Sequence, residues 1–426
     1  MEEKELSLTR ELKLSALFVS SGGFFLDGFD LTIISFAILS IKDQMNLNIY
    51  QIGMVTSAAL LGAVFGALIF GYLSDKMGRK ALMGIDLIFL FIFGIISAIS
   101  NNFIILFISR LLLGFGIGGD YPLSSTLISE FTPAESRGKY QAAGLSLYWV
   151  GNLVSAIVTI PLLSLGNDWW RYLFLTGALL SIPIITLRIK MAESPRWLIY
   201  KGRLEVSDEK LRYAQIKHAN KYSDLFKGNL LKPTIFVTSV WFLFDVAAYG
   251  IGMYYPYTIK QFAFSSNYTT IYALILISIA AIFAGYVLSL FLIDSLGRKK
   301  LLLLGLGLMS IFLILGGFIK ITGEWLIIYY MSFVSVEQWA GIVTLFYPTE
   351  LFPTSVRASA QGLATSISRI GSVIGTFFFP SMIAFLGFSY SLFTFGILSS
   401  IGFAITIFLA KETKKQTLEE TSYQLN

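Results

Sequence analysis

Asp75-Lys76-Met77-Gly78-Arg79-Lys80 returns as Asp294-Ser295-Leu296-Gly297-Arg298-Lys299, displaced by 219 residues. A second pattern, Glu130-x-x-Pro133-x-x-x-Arg137, returns as Glu350-x-x-Pro353-x-x-x-Arg357 at a displacement of 220. Two independent motifs shifted by nearly the same amount make the chain an internal duplication, and self-similarity of this kind decides architecture before any local reading does. Every copy follows a long apolar run, so the duplicated unit is a set of hydrophobic segments.

Composition says what those segments are. The chain is 55% hydrophobic and 14% charged, where a soluble domain is about 45–50% apolar and about 25% charged. A helix needs about 20 apolar residues to cross a bilayer, and twelve such runs are present, near 15–39, 51–73, 81–100, 103–130, 138–164, 170–190, 233–259, 268–293, 300–319, 324–347, 356–385 and 388–410. They are long helical runs, unlike the short alternating strands of an outer-membrane barrel. The expectation is an all-α membrane protein of twelve transmembrane helices in two pseudo-symmetric halves, 1–190 and 233–410, with a cytoplasmic linker at 191–232 and a tail at 411–426. Parallel repeats meet at a midplane substrate site that opens alternately to either side as one half rocks on the other. The linker is polar and Lys-rich, suits amphipathic helices on the membrane surface, and holds the only histidine, His218, which reads as a solvated residue. The polar tail reads as mobile.

Orientation follows from counting Lys and Arg by loop. With the N-terminus cytoplasmic, 26 of the 32 lie on that side, Lys42, Arg171, Lys260 and Lys320 lie outside, and Arg110 and Arg369 fall within the membrane. Both termini are therefore expected inside, in a multi-pass protein of the plasma membrane with no cleavable signal peptide. The net charge of +6 is a topology signal and not a nucleic-acid footprint. The chain has no cysteine, which excludes disulfides, zinc-thiolate sites and cysteine nucleophiles. No nucleophile–base arrangement or metal-ligand spacing occurs, so neither an enzyme nor a cofactor or metal site is expected.

Charged groups within apolar runs mark the candidate site, because each costs about 2.5–3.5 kcal/mol at the midplane. The fourth run contains Arg110 and Gly114-Phe115-Gly116-Ile117-Gly118-Gly119-Asp120-Tyr121-Pro122, where Gly114 and Gly118 leave a groove for a neighbouring helix. The first run contains Asp27 and Asp30, at i and i+3 and so roughly on one face. Two carboxylates so close in low dielectric cannot both ionise cheaply, which is the property a proton-coupling site needs. The duplication sets Asp27 against Asp245, 218 residues on, in a stripe of Trp241, Asp245 and Tyr249 at i, i+4 and i+8. Arg369 is the cation of the second half at membrane depth and the leading anion clamp, since a guanidinium binds carboxylate or phosphate in a bidentate way; charge balance to Asp245 or Asp120 is its other role, and the two can alternate. Asp86 and Glu337 have no clear assignment, although Glu337 could line the same cavity. In the loops, Asp75/Arg79 and Asp294/Arg298 read as gates that close one conformation and break in the other, and Glu130/Arg137 and Glu350/Arg357 as a second pair of latches.

These residues resemble the major facilitator superfamily, near the sugar porters: the duplicated Gly-Arg loops, Arg110-x-x-x-Gly114-x-Gly116, and Glu193-Ser194-Pro195-Arg196-Trp197-Leu198 all match. Gly116 to Ser124, followed by Ser129-Glu130, is similar to the signature of phosphate:proton symporters. That resemblance implies proton-linked roles for Asp30 and Asp120, and a phosphate pocket at Tyr121, Trp241, Asp245 and Tyr249, with Arg369 where the family has lysine. Two amide side chains of the family pattern are replaced, by Tyr148 and by Gly341, which weakens phosphate and admits a larger or more aromatic substrate. Asp27-Gly28-Phe29-Asp30 also resembles aromatic-acid:proton symporters, while Tyr254-Tyr255 resembles sugar porters without their paired glutamines. The resulting expectation is a monomeric, proton-coupled importer of a small anion. Asp27, Asp30 and Asp120 would couple protons, and Tyr121, Tyr148, Trp241, Asp245, Tyr249 and Arg369 would hold the substrate. Phosphate comes first, organic acids or sugars second, and a solute sensor without flux last.

Overall fold

The computed structural model describes residues 10–203 and 221–423, so His218 lies outside the described residues. In hydrocarbon a backbone must satisfy its own hydrogen bonds, and the apolar runs accordingly form helices. The first half has α1 (Arg10–Met45), α2 (Ile49–Met77), α3 (Ile85–Ala98), α4 (Phe103–Phe131), α5 (Arg137–Leu162) and α6 (Trp169–Ile189). The short α7 (Pro195–Tyr200) stands in the connection. The second half has α8 (Gly228–Gly252), α9 (Tyr255–Phe262), α10 (Asn267–Leu296), α11 (Arg298–Phe318), α12 (Glu324–Leu351), α13 (Arg357–Leu386) and α14 (Phe388–Leu409), and α15 (Leu418–Tyr423) lies in the tail. Leaving out α7, α9 and α15, these are the twelve expected spans.

Three boundaries differ from the reading of the sequence. The run at 233–259 is broken after Gly252, and α9 restarts with Pro256 in its first turn, where the missing N–H of proline costs nothing. Helix α3 has 14 residues where a run from 81 was expected, because residues up to Gly84 are taken into the turn after the Gly-Arg loop. Helix α10 is a single span with a π-helical stretch, Ala281–Val287, at its middle.

Small residues set the helix crossings. Gly62 and Gly66 of α2 lie against the carbonyls of Leu111 and Phe115, while Gly114 and Gly118 of α4 lie against those of Ala59 and Ala63. The groove expected at Gly114 and Gly118 is thus filled by α2, and the two helices interlock by glycine on both sides, the close packing that replaces hydrophobic drive between helices in lipid. Helix α2 also crosses into the other half, where Gly71 meets Gly362 of α13. The large side chains left exposed, such as Ile88 and Ile92 on α3 and Ile401 and Phe408 on α14, lie on outward-facing helices.

The duplication extends further than the loops suggest. Glu193, before α7, accepts hydrogen bonds from the amides of Arg79 (2.9 Å) and Lys80 (3.2 Å). Glu412, 219 residues later, accepts from Arg298 (2.8 Å) and Lys299 (3.1 Å) and so caps the start of α11. The residues that follow stand alike as well: Ser194 neighbours Glu130, and Thr413 donates to Glu350 at 2.5 Å. In both copies the turn needs glycine, since Gly78 and Gly297 have φ of 105° and 95°. The tail expected to be mobile is therefore docked over residues 411–423, because its carboxylate finds backbone donors that a helix start leaves unpaired.

Candidate functional site

A central cavity of about 930 Å³, including the open space at its mouth, lies between the halves. All six side chains expected at the substrate line it: Tyr121 from α4, Tyr148 from α5, Trp241, Asp245 and Tyr249 from α8, and Arg369 from α13. The i, i+4, i+8 spacing on α8 turns three of them to one side. Arg369 is sandwiched between Tyr121 and Tyr249, with its guanidinium carbon 4.4 and 4.8 Å from the ring centroids, a cation–π arrangement that holds the plane in place. Its Nη1 donates to Asp245 Oδ2 at 2.7 Å, and Ser372 Oγ donates to the same oxygen at 2.9 Å. The side chains of Tyr121 and Tyr148 neighbour Tyr249 in the cavity lining. Of Arg369's alternating roles, this structure holds the charge-balanced one, with Asp245 as partner. Gly341 also lines the cavity and leaves the α12 wall low there.

The three acids expected to couple protons lie away from the cavity lining. Asp120 pairs with Arg188 and accepts from Ser124 Oγ at 2.8 Å, and Arg188 pairs in turn with Asp86 at 2.5 Å. Asp27 is fully buried, neither of its oxygens has a hydrogen-bond partner among the described residues, and the charges around it are Asp120, Arg188, Asp86 and Arg369. Gly23, one turn earlier, leaves the space that Arg188 and Asp120 occupy. Asp30 faces Arg110, whose Nη2 donates to the Asp30 carbonyl at 2.8 Å and whose guanidinium lies over Phe174. The expected repulsion between Asp27 and Asp30 is thus corrected. Three helical positions leave about 60° between the two side chains, and each is taken up by different neighbours. The sequence reading missed Arg188, which it counted with the cytoplasmic charges because it stands near the end of a run; the surplus of acids in the apolar runs of the first half, Asp27, Asp30, Asp86 and Asp120 against Arg110 alone, was the available signal.

At the face of the Gly-Arg loops the halves are sealed together. Arg79 donates twice to Glu130, at 3.0 and 3.1 Å, and pairs with Asp75 at 3.1 Å. Arg298 pairs likewise with Glu350 at 2.8 Å and with Asp294 at 2.9 Å. The remaining arginines reach across: Arg357 to Glu130 at 3.0 Å and Arg137 to Glu350 at 3.9 Å. This corrects the expected Glu130/Arg137 and Glu350/Arg357 latches, in which each glutamate was matched to the arginine of its own repeat. The ends of α4 and α12 meet on the pseudo-twofold axis, where the hydroxyls of Ser129 and Thr349 are 2.6 Å apart, so the nearest outer arginine belongs to the other half. Asp75 also accepts from the amides of Ser359 (2.7 Å) and Ala358 (3.3 Å) at the start of α13, and Asp294 from that of Lys139 (3.1 Å) at the start of α5. Each loop aspartate therefore caps a helix of the opposite half, where the helix dipole favours a negative charge.

Two six-helix halves around a central cavity that holds a buried ion pair, closed at one end by ion pairs between them, define a membrane transporter with the major facilitator fold. The chain matches the family model described as "Sugar (and other) transporter" over residues 15–425 and belongs to that family. It is 30% identical to an arabinose-proton symporter of Bacillus subtilis (strain 168), over 93% of this chain and 92% of that one. It is 29% identical to the low affinity inorganic phosphate transporter 4 of Medicago truncatula, over 99% and 94%. Among solved structures, the proton:xylose symporter XylE bound to 6-bromo-6-deoxy-D-glucose matches with a TM-score of 0.88 at 21% identity, covering 98% of this chain and 100% of that one.

Proposed function

We propose that this transporter is a proton-coupled symporter that imports a small anion, inorganic phosphate first and an organic acid second. The observation that carries the reading is Arg369, a buried cation on the cavity wall, held edge to edge with Asp245 and face to face with Tyr121 and Tyr249. An anion arriving in the cavity competes with Asp245 for the guanidinium, while the tyrosine hydroxyls supply further donors. Asp27, Asp30 and Asp120 take up the coupled protons, and a proton travelling with a monovalent anion makes the step electroneutral. Substrate binding then favours opening of the Asp75, Arg79, Glu130, Arg137, Asp294, Arg298, Glu350 and Arg357 cluster, which faces the cytoplasm together with both termini. The chain works as a monomer of two halves, with residues 191–232 as the linker.

A sugar is the second reading. It is favoured by Asn152 and Gln338, two amides in the cavity lining, and by the names of the arabinose and xylose symporters among its relatives. The test is uptake of labelled phosphate into proteoliposomes under an inward proton gradient, competed by benzoate, arabinose and xylose. Phosphate accumulation that Arg369→Ala abolishes supports the anion site. Accumulation blocked only by a sugar would transfer the same cavity to a neutral ligand. Binding without any flux would make the protein a sensor.

A further inference from the structure

The cavity holds one acid that no ion pair accounts for. Glu337 lies on α12 with 6% of its surface exposed and lines the same cavity as Asp245 and Arg369. Among the described residues its carboxylate has no hydrogen-bond or salt-bridge partner. The groups facing it are Asp245 from α8, Tyr255 from α9 and Tyr286 from α10. Among the described residues the Tyr255 hydroxyl has no hydrogen-bond partner, and that of Tyr286 is given to Gln338 at 2.9 Å. Of the other titratable groups in the lining, Tyr121, Tyr148 and Tyr249 gather around Arg369, and Arg369 is held by Asp245. With that pair neutral, an ionised Glu337 leaves the cavity with one negative charge in excess, directed at any incoming anion.

We propose that Glu337 is a proton-binding residue of the transport cycle: the cavity admits an anion only while Glu337 carries a proton, so proton and anion load on facing walls of one site. This rests on the anion reading above for its consequence, but not for proton binding itself. The proton comes from the water that fills the open mouth, adds to a carboxylate oxygen, and turns an acceptor-only group into a donor toward the substrate. It leaves to the other aqueous side when the halves rock, and no bond other than O–H forms or breaks. Glu337 then stands as a coupling site separate from Asp27, Asp30 and Asp120, none of which lines the cavity.

Infrared difference spectra of the protein in lipid, stepped from acid to alkaline pH, read carboxyl groups without any substrate. The expected result is a titrating carboxyl band that is absent from Glu337→Gln and remains in Asp30→Asn and Asp120→Asn. A full set of wild-type bands in Glu337→Gln overturns the proposal. With labelled inorganic phosphate, Glu337→Gln is expected to keep phosphate–phosphate exchange and to lose the roughly tenfold accumulation that one pH unit drives per coupled proton. Its exchange rate no longer depends on external pH, and Glu337→Asp restores that dependence. Equal loss of exchange and accumulation with an unmoved pH profile would make Glu337 a plain contact and overturn the proposal. If the wild type exchanges no phosphate, the anion reading fails by itself; the infrared titration still decides proton binding, and exchange is read with labelled benzoate and arabinose.

Discussion

Arg188 shows most clearly how burial changes the meaning of a charge. It is fully buried between Asp86 and Asp120, and removing one partner of a buried pair leaves an uncompensated charge that costs about 3–5 kcal/mol. Arg188→Gln is therefore expected to lower stability by about that amount, read as a fall in thermal unfolding of the purified protein. Adding Asp120→Asn should recover part of the loss, because one carboxylate fewer then lacks a cation. No recovery would mean that Arg188 acts by packing alone. Arg188 was illegible in the sequence because its distance from the end of the run gave no measure of depth, whereas Asp245 and Arg369 stood well inside theirs. The pairing of those two residues was still only one of the alternatives open to sequence reasoning, since a helical stripe says which residues share a face and not what stands opposite.

Helices α2 and α4 place the first-half charges by interlocking through glycine. A side chain on Gly118 would meet the backbone of Ala63, and a backbone carbonyl in the middle of a helix cannot move aside. Gly118→Leu is expected to abolish folded protein in membranes, measured as monodisperse yield after extraction. Gly202→Ala is the control, as it has φ of 66° with nothing within 4 Å and pays only the left-handed backbone cost of about 1–2 kcal/mol. Wild-type yield from Gly118→Leu would show that the crossing is looser than the structure has it. The glycine groove was legible from residues 114 and 118, but its occupant was not. The break between α8 and α9 could have been read from Gly252 and Pro256, although neighbouring apolar residues concealed it within a continuous run.

At the scale of the molecule, the closed loop face is a network of ion pairs in which Arg357–Glu130 and Arg137–Glu350 span both halves, and alternating access requires those two to break. Ser129 and Thr349 face each other across the axis with hydroxyls 2.6 Å apart, and the chain has no native cysteine to interfere. Ser129→Cys/Thr349→Cys is expected to cross-link under mild oxidant, to stop transport, and to regain it on reduction. Transport that continues through the cross-link would show that the face does not open during the cycle. The tail belongs to the same seal through Glu412 and Thr413, a part that composition alone read as mobile because a polar stretch does not announce its backbone partners.

The sequence by itself determined the number of spans, the duplication, and six residues of the cavity lining, because apolar length, motif recurrence and charge in an apolar run are all properties of one dimension. Tertiary structure alone decided the partners. Glu130 takes an arginine from each half, Asp120 takes Arg188, Arg369 takes Asp245, and among the described residues Glu337 takes none. Each of these depends on how helices rotate and cross, and those angles follow from where small residues let two backbones meet.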